Sequence, residues 1–239
     1  MDGERFEAPT PDGPLHGTRW GAGSGGPGVL LLHGGPGLTE DYLATLAGEL
    51  VPGYDVATFR QRGNAPSPVG GPYSVTGHVA DVAAVLDALG WERCWLVGHS
   101  WGGHLAFHCA VALPDRLLGV LAVDPLAAVG DGGAAVFEAE MLRRTPQEVR
   151  ERAEELDRRA MAGEGTEEDA LESFRMVWPA YFADPDDVPP VPGGLRLSVD
   201  AYSQTWQDLV ERLPALERSL GQVAVPLTVL AGEGSPMPH

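Results

Sequence analysis

The chain has 239 residues and a formal net charge of −18, and all 16 of its basic side chains are arginines. A surface this acidic repels phosphate backbones, so nucleic acid is excluded as an expected partner. Hydrophobic residues at 44% and charged residues at 21% are ordinary values for a folded globular domain.

Apolar runs alternate along the chain with segments of helical periodicity. Predicted strands are 28–33, 54–59, 93–97, 118–123 and 226–230, and predicted helices are 39–50, 76–89 and 104–113. Thr39 is the expected N-cap of the first helix. Continuous apolar strands separated by helices indicate a parallel sheet covered on both faces, which is a doubly wound α/β fold. Segments near Phe6 and over residues 15–20 predict antiparallel strands at one edge.

The alternation stops after residue 125. Residues 126–220 contain charged helical stretches and a proline-rich loop, and they contain no convincing core strand. We expect this region to be a helical lid inserted into the core. The core then consists of residues 1–125 and of residues 221–239, which carry the last strand and the loop that follows it.

The strongest motif is Gly98-His99-Ser100-Trp101-Gly102, which lies directly between a predicted strand and a predicted helix. A G-x-S-x-G sequence in this context predicts a tight turn that presents the serine as a nucleophile above the sheet. Glycine is needed there because the strand and the helix come into close contact. Ser100 is therefore the expected nucleophile.

A second motif, His33-Gly34-Gly35-Pro36-Gly37, follows the first predicted core strand. A glycine-rich backbone at this position can direct an N–H group at a developing oxyanion. We expect the N–H groups of Gly35 and Trp101 to form an oxyanion hole. His33 is interpreted as a structural residue of this loop.

Three segments together, LLHGGPG, FRQRGNAPS and GHSWGG, resemble the proline iminopeptidase group of α/β hydrolases. The likeness spans residues 30–124 and implies hydrolysis of a small-molecule or short-peptide substrate through an acyl-enzyme, without cofactor or metal. In that group the middle motif begins with an aspartate, where this chain has Arg60, and a later glycine is replaced by Ala65. The resemblance thus implies an α/β-hydrolase core more strongly than it implies peptidase activity.

The catalytic acid has two candidate positions. The family places it in a turn after the seventh strand, and the matching segment of this chain carries Ser235, with Glu233 two residues away. Asp124 ends the preceding strand, and a carboxylate there can orient the same histidine. We expect Asp124 to be the acid, although Asp124 before Pro125 can also be a simple turn.

The catalytic base should follow one further helix and strand, and the sequence ends at His239 before either. We therefore expect a core that lacks the last strand and helix of the fold, with an exposed sheet edge. His239 is the remaining candidate base, although a base needs rigid support. Without a base the chain is an inactive binding protein or a fragment of such a hydrolase.

The predicted lid is rich in acidic residues between Glu138 and Glu172, and family lids use glutamates to hold a substrate amino group. These charges can equally be solvated helix faces. The aromatic residues of the lid can line an acyl pocket or pack against the core. They are Trp178, Tyr181, Phe182 and Trp206.

Cys94 and Cys109 each lie within an apolar run, so we expect two buried free thiols. The N-terminus lacks a signal-peptide pattern, and no apolar run reaches the length of a membrane span. We expect a cytoplasmic protein with no membrane partner.

Overall fold

The computed structural model describes residues 3–162 and 164–237, and this part contains one seven-stranded sheet. The strands are β1 (Glu4–Ala8), β2 (Leu15–Trp20), β3 (Gly28–Leu32), β4 (Asp55–Phe59), β5 (Cys94–His99), β6 (Leu117–Val123) and β7 (Leu227–Leu230). Their order across the sheet is β1-β2-β4-β3-β5-β6-β7. The last five strands in that order run parallel, while β1 and β2 form an antiparallel edge. The predicted α/β fold class is confirmed.

Helices cover both faces of the sheet because successive strand residues point to opposite sides. On one face, Leu30 and Leu96 pack in a cluster with Leu105 of the helix after β5. On the other face, Leu31 packs with Ala47 of the first helix. The core helices are α1 (Ala44–Leu50), α2 (Val75–Ala88) and α3 (Trp101–Ala112).

Residues 126–220, which we call the helical segment, form four further α-helices in the described part of the chain. They are α4 (Ala134–Arg144), α5 (Gln147–Met161), α6 (Glu167–Val177) and α7 (Val199–Leu220). Thr166 and Asp169 form a reciprocal capping box at the start of α6. The Ser198 hydroxyl accepts from the Ala201 N–H at the start of α7. Local sequence therefore sets where these two helices begin.

The prediction that Thr39 caps the first helix is wrong. A short 3₁₀ turn, Asp41–Leu43, precedes α1, which begins only at Ala44. The Thr39 hydroxyl instead accepts from the N–H of Arg196, 157 residues further along the chain. Packing against the helical segment thus outweighs the local capping preference.

Strands β3 and β5 are hydrogen-bonded neighbours, although β4 lies between them in the sequence. The chain leaves β3 toward one side of the sheet and returns to β5 on the other. Loops that follow the carboxyl ends of two such strands diverge and leave a crevice between them. The glycine-rich loop after β3 and the turn after β5 both open onto this crevice.

A buried ion pair connects the loop after β4 to α2. Arg62 donates two hydrogen bonds of 2.7 Å each to the Asp81 carboxylate, and both side chains are almost fully buried. Arg62 also donates to the Pro72 carbonyl and to Asp12. The loop is therefore fixed against α2 by charge-assisted hydrogen bonds.

Buried aromatic rings and imidazoles lie together where α2, α3 and α7 meet. The Trp101 ring lies 5.4 Å from the ring of His78 and 6.1 Å from that of His104. His78 contacts the Thr205 hydroxyl, and His104 contacts the Leu126 carbonyl. Burial lowers the pKa of His78 to about 3 and that of His104 to about 4, so both rings are neutral.

Strand β7 lies at the edge of the described sheet, where it pairs with β6. Val229 and Leu230 are 50% and 56% exposed. Cys94 and Cys109 are both buried and free, as predicted.

Candidate active site

Ser100 lies at the junction of β5 and α3 with φ 54° and ψ −119°, a conformation that non-glycine residues seldom adopt. Its N–H donates to the Val123 carbonyl at 2.9 Å. A Cβ at Gly98 would lie 2.1 Å from the Gly102 carbonyl oxygen, and one at Gly102 would lie 2.3 Å from the Leu32 carbonyl oxygen. The glycines of the motif therefore permit the strand–helix contact that holds the turn.

The glycine-rich loop after β3 lies directly against Ser100. A Cβ at Gly34 would be 3.0 Å from the Ser100 Cβ. The Gly34 N–H donates to the Tyr42 hydroxyl at 2.5 Å. The N–H groups of Gly35 and Trp101, the predicted oxyanion hole, have no acceptor within the described part of the chain. These two donors are thus available to a ligand at Ser100.

Gln61 connects the two loops that flank this crevice. Its side-chain amide donates to the His33 carbonyl at 3.3 Å, and its side-chain oxygen accepts from the Trp101 indole at 2.9 Å. Gln61 is almost fully buried. One side chain therefore sets the distance between the glycine-rich loop and the first turn of α3.

Both candidate positions for the acid meet beside this crevice. Asp124 directly follows β6, and its carboxylate accepts from the Gly232 N–H at 2.9 Å. The Ser235 hydroxyl accepts from the Met237 N–H within its own turn. Glu233 is exposed. The loop after β7 therefore binds the Asp124 carboxylate through a backbone N–H group.

The histidines occupy three kinds of position. His33 is fully buried, and its Nε2 accepts from the Gln61 N–H while its Nδ1 contacts the Gly34 carbonyl oxygen, which fits the predicted structural role. His99 faces a cavity beside Ser100, and its Nδ1 lies 2.9 Å from the Tyr42 hydroxyl. No histidine of residues 3–162 and 164–237 hydrogen-bonds Asp124. His239 lies outside the described residues.

A cavity of about 600 Å³ opens over Ser100 between the glycine-rich loop and the helical segment. Its wall is mainly apolar and aromatic. Three of the four predicted aromatic residues line it, namely Trp178, Tyr181 and Trp206. The fourth, Phe182, packs edge-on against Trp178 at 5.0 Å. The aromatic residues of the helical segment thus both line the cavity and pack together.

One carboxylate, that of Asp157 on α5, lines this apolar cavity, and the Asp157 side chain is exposed. Loss of solvent around the carboxylate raises the pKa of Asp157, the Ser173 hydroxyl opposes that rise, and the Glu154 charge adds to it. In the described part of the chain no cation pairs with Asp157. A carboxylate that has lost part of its solvent and has no cationic partner favours a ligand that brings a positive charge or a hydrogen-bond donor.

Tyr42 and Asp157 were not predicted from the sequence. No motif marks Tyr42, because it reaches Gly34 and His99 through tertiary contacts. Asp157 lies four residues after the buried Ala153 and next to the buried Leu156, so it shares the inward face of α5. That helical phase was available in the sequence and was hidden by the surrounding charges.

Arg60 occupies the position at which the proline iminopeptidase group has an aspartate. Its guanidinium donates to Glu40 at 2.8 Å and to Asp41 at 3.1 Å. The arginine therefore has acidic partners from the turn before α1, and the charge at this position is balanced locally.

A family profile described as the alpha/beta hydrolase fold matches residues 27–205, so the chain belongs to the α/β-hydrolase fold family. Its order of strands, its turn at Ser100 and its helical segment over the crevice agree with that family. The crystal structure of VinJ superposes with a TM-score of 0.70 at 22% identity, covering 100% of this chain and 84% of VinJ. This likeness supports the fold.

Curated relatives match over a shorter stretch. Epoxide hydrolase B of Mycobacterium tuberculosis is 37% identical over 101 residues, which is 41% of this chain and 28% of the relative. Lipase LipV of the same organism is 36% identical over 117 residues, 48% of this chain and 43% of LipV. Fluoroacetate dehalogenase of a Burkholderia species is 36% identical over 108 residues, 43% of this chain and 35% of the dehalogenase. The chain therefore spans less than half the length of these curated relatives, which are hydrolases of different substrates.

Across residues 3–162 and 164–237, histidine, cysteine and carboxylate side chains form no group of three placed to hold a metal ion. No helix in that same part of the chain has the length and apolar character to cross a membrane.

Proposed function

We propose that the chain is a serine hydrolase that cleaves a small ester or amide through an acyl-enzyme on Ser100. The observation that carries this proposal is the strained turn at Ser100, which faces a cavity beside two unpaired backbone donors. Ser100 Oγ attacks the substrate carbonyl, and the N–H groups of Gly35 and Trp101 stabilise the oxyanion. The helical segment acts as a lid that shapes the acyl pocket.

Proton transfer completes the reaction. A base accepts the Ser100 proton and returns it to the leaving alcohol or amine, and water then releases the acyl group by the same route. In this proposal Asp124 is the acid that orients the base, and His239 is the base within this chain.

Labelling with a fluorophosphonate probe tests the proposal, because the probe bonds covalently to an activated serine. We expect the parent chain to be labelled, the Ser100→Ala variant to lose labelling entirely, and the His239→Ala variant to lose most of it. Circular dichroism verifies that each variant is folded. If the folded parent chain is not labelled, the acyl-enzyme proposal is wrong for this chain, and an inactive binding protein of hydrolase fold becomes the better description.

Asp157 favours one substrate class within this function, a compound with a free amino group next to the scissile carbonyl. An aminopeptidase of the proline iminopeptidase type has this requirement. An ammonium group in the cavity would pair with the Asp157 carboxylate and lie among aromatic rings, which also attract cations. The remainder of the cavity is mainly apolar, so the acyl part should be small and mainly apolar on the sides that contact this wall.

A matched pair of substrates isolates the contribution of Asp157. Proline β-naphthylamide and cyclopentanecarboxylic acid β-naphthylamide have the same shape and differ in the amine. We expect Asp157→Asn to lower kcat/KM for the proline compound about 10-fold or more, as for the loss of a charge-assisted hydrogen bond, and to leave the cyclopentane compound unchanged. Glu151→Gln, on the exposed face of the same helix, is the control and should change neither rate. Equal losses on both substrates in Asp157→Asn would contradict amine recognition.

A further inference from the structure

The Tyr42 hydroxyl bridges two groups beside Ser100. It accepts a hydrogen bond from the Gly34 N–H at 2.5 Å, and it lies 2.9 Å from His99 Nδ1. Burial raises the pKa of Tyr42, so the phenol keeps its proton. Among the described residues the O–H has no acceptor other than His99 Nδ1. The Tyr42 O–H therefore donates to that nitrogen.

This hydrogen bond fixes the protonation pattern of the His99 ring. Burial lowers the pKa of His99, with the Asp124 charge opposing that change, so the ring is neutral near pH 7. A neutral imidazole whose Nδ1 is an acceptor carries its hydrogen on Nε2. The ring lines the cavity, and its Nε2 has no partner in the part of the chain that the structure describes.

We propose that His99 presents a fixed Nε2–H donor to the substrate, and that the chain prefers acyl groups bearing a hydrogen-bond acceptor close to the scissile carbonyl. This inference rests on the proposed acyl-enzyme at Ser100. His99 is a specificity-determining residue in this scheme, and Tyr42 is a positioning residue that acts through it.

The placement of the ring explains why the acceptor must be close to the carbonyl. A Cβ at Gly34 would lie 3.0 Å from both His99 Nδ1 and Ser100 Cβ, so the imidazole and the serine flank the same glycine. The cavity wall around them is mainly apolar. The His99 side chain is exposed, so a bound acyl group displaces water from the Nε2–H. An ether or carbonyl oxygen restores that hydrogen bond, whereas a hydrocarbon chain does not.

The first test reads the tautomer of His99 without any turnover. In long-range ¹H–¹⁵N spectra at pH 7, assigned with His99→Gln, we expect Nε2 to be protonated and Nδ1 to be bare. Tyr42→Phe removes the donor and should shift the ring toward a mixture of tautomers. A protonated Nδ1 in the parent chain would overturn the proposal.

The second test measures selectivity with two esters of equal length, p-nitrophenyl methoxyacetate and p-nitrophenyl butyrate. Each rate is divided by the rate of hydroxide hydrolysis, which removes the difference in intrinsic reactivity. We expect His99→Leu to lower the methoxyacetate-to-butyrate ratio about 3- to 10-fold, the effect of one neutral hydrogen bond, and His99→Gln, which keeps an N–H donor, to restore most of it. His16→Gln, outside the cavity, is the control and should leave the ratio unchanged. An unchanged ratio in an active His99→Leu variant would overturn the proposal.

The acyl-enzyme proposal and the proposal for His99 can be contradicted independently of each other. If the parent chain hydrolyses neither ester, the acyl-enzyme proposal is contradicted, and the donor is then tested by binding. Methoxyacetamide should shift the His99 Nε2 resonance more than butyramide does, and equal shifts would overturn the assignment of His99.

Discussion

Asp81→Ala is expected to lower the free energy of unfolding by about 3–5 kcal/mol, the usual cost of leaving one charge of a buried pair without its partner. Arg62 is 6% exposed and donates to both Asp81 oxygens, so its guanidinium would lose its main partner inside the protein. Asp12 and the Pro72 carbonyl would remain as its partners. Urea denaturation at pH 7 measures the change.

Two further variants separate charge burial from packing. The double variant Arg62→Met with Asp81→Leu removes both charges, and we expect it to recover more than half of the lost stability. Asp87→Asn removes one partner of the exposed pair with Arg116 and should change the stability by less than about 0.5 kcal/mol. If Asp81→Ala were as mild as Asp87→Asn, the pair would contribute little to the fold.

Acidification from pH 6.5 to pH 5 is expected to destabilise the chain by about 3 kcal/mol through His78 and His104 alone. Their folded pKa values, about 3 and about 4, lie below the unfolded value of about 6.5. Well above pH 6.5 the rings are neutral in both states and the stabilisation is complete. Below pH 6.5 the unfolded chain binds protons that the folded chain does not bind. Each ring therefore lowers the free energy of unfolding with a slope that approaches about 1.4 kcal/mol per pH unit. The loss continues until the pH reaches the folded pKa values.

Urea denaturation at intervals between pH 8 and pH 5 tests this expectation above the range in which carboxylates titrate. In His104→Asn the amide can still donate to the Leu126 carbonyl, yet one titrating ring is gone. The mean slope of stability against pH between 6.5 and 5 should therefore fall by about 1 kcal/mol per unit. Equal slopes in parent and His104→Asn would show that this ring is already protonated in the fold.

The fold could be predicted from the sequence because its signals are local. Each core strand is a short apolar run between glycine or proline residues. The turn at Ser100 requires the glycines of the G-x-S-x-G motif, which are recognisable in the sequence. The antiparallel edge strands were also predicted, near Phe6 and over residues 15–20, although neither is a continuous apolar run. Thr39 shows the limit, because its hydroxyl bonds to Arg196 rather than to the helix it precedes.

The site was less predictable, since its geometry depends on contacts between distant residues. Tyr42 reaches His99, 57 positions away, and Gln61 reaches Trp101, 40 positions away. Nothing in their local sequence signals these pairs. Asp157 was hidden for another reason, because an inward-facing carboxylate in a helix full of charged residues is recognised only from its phase relative to Ala153 and Leu156.

Two parts of the chain form the wall of the cavity. Ser100, Gly34 and Gly35 come from loops fixed to the sheet, whereas most of the remaining wall belongs to the helical segment. Substitutions in the helices can alter the size and charge of the chamber while the turn at Ser100 stays in place. The loops around Ser100 can thus be kept while the helices that cover them are varied. Mutant libraries aimed at new substrate specificity therefore belong in α5, α6 and α7.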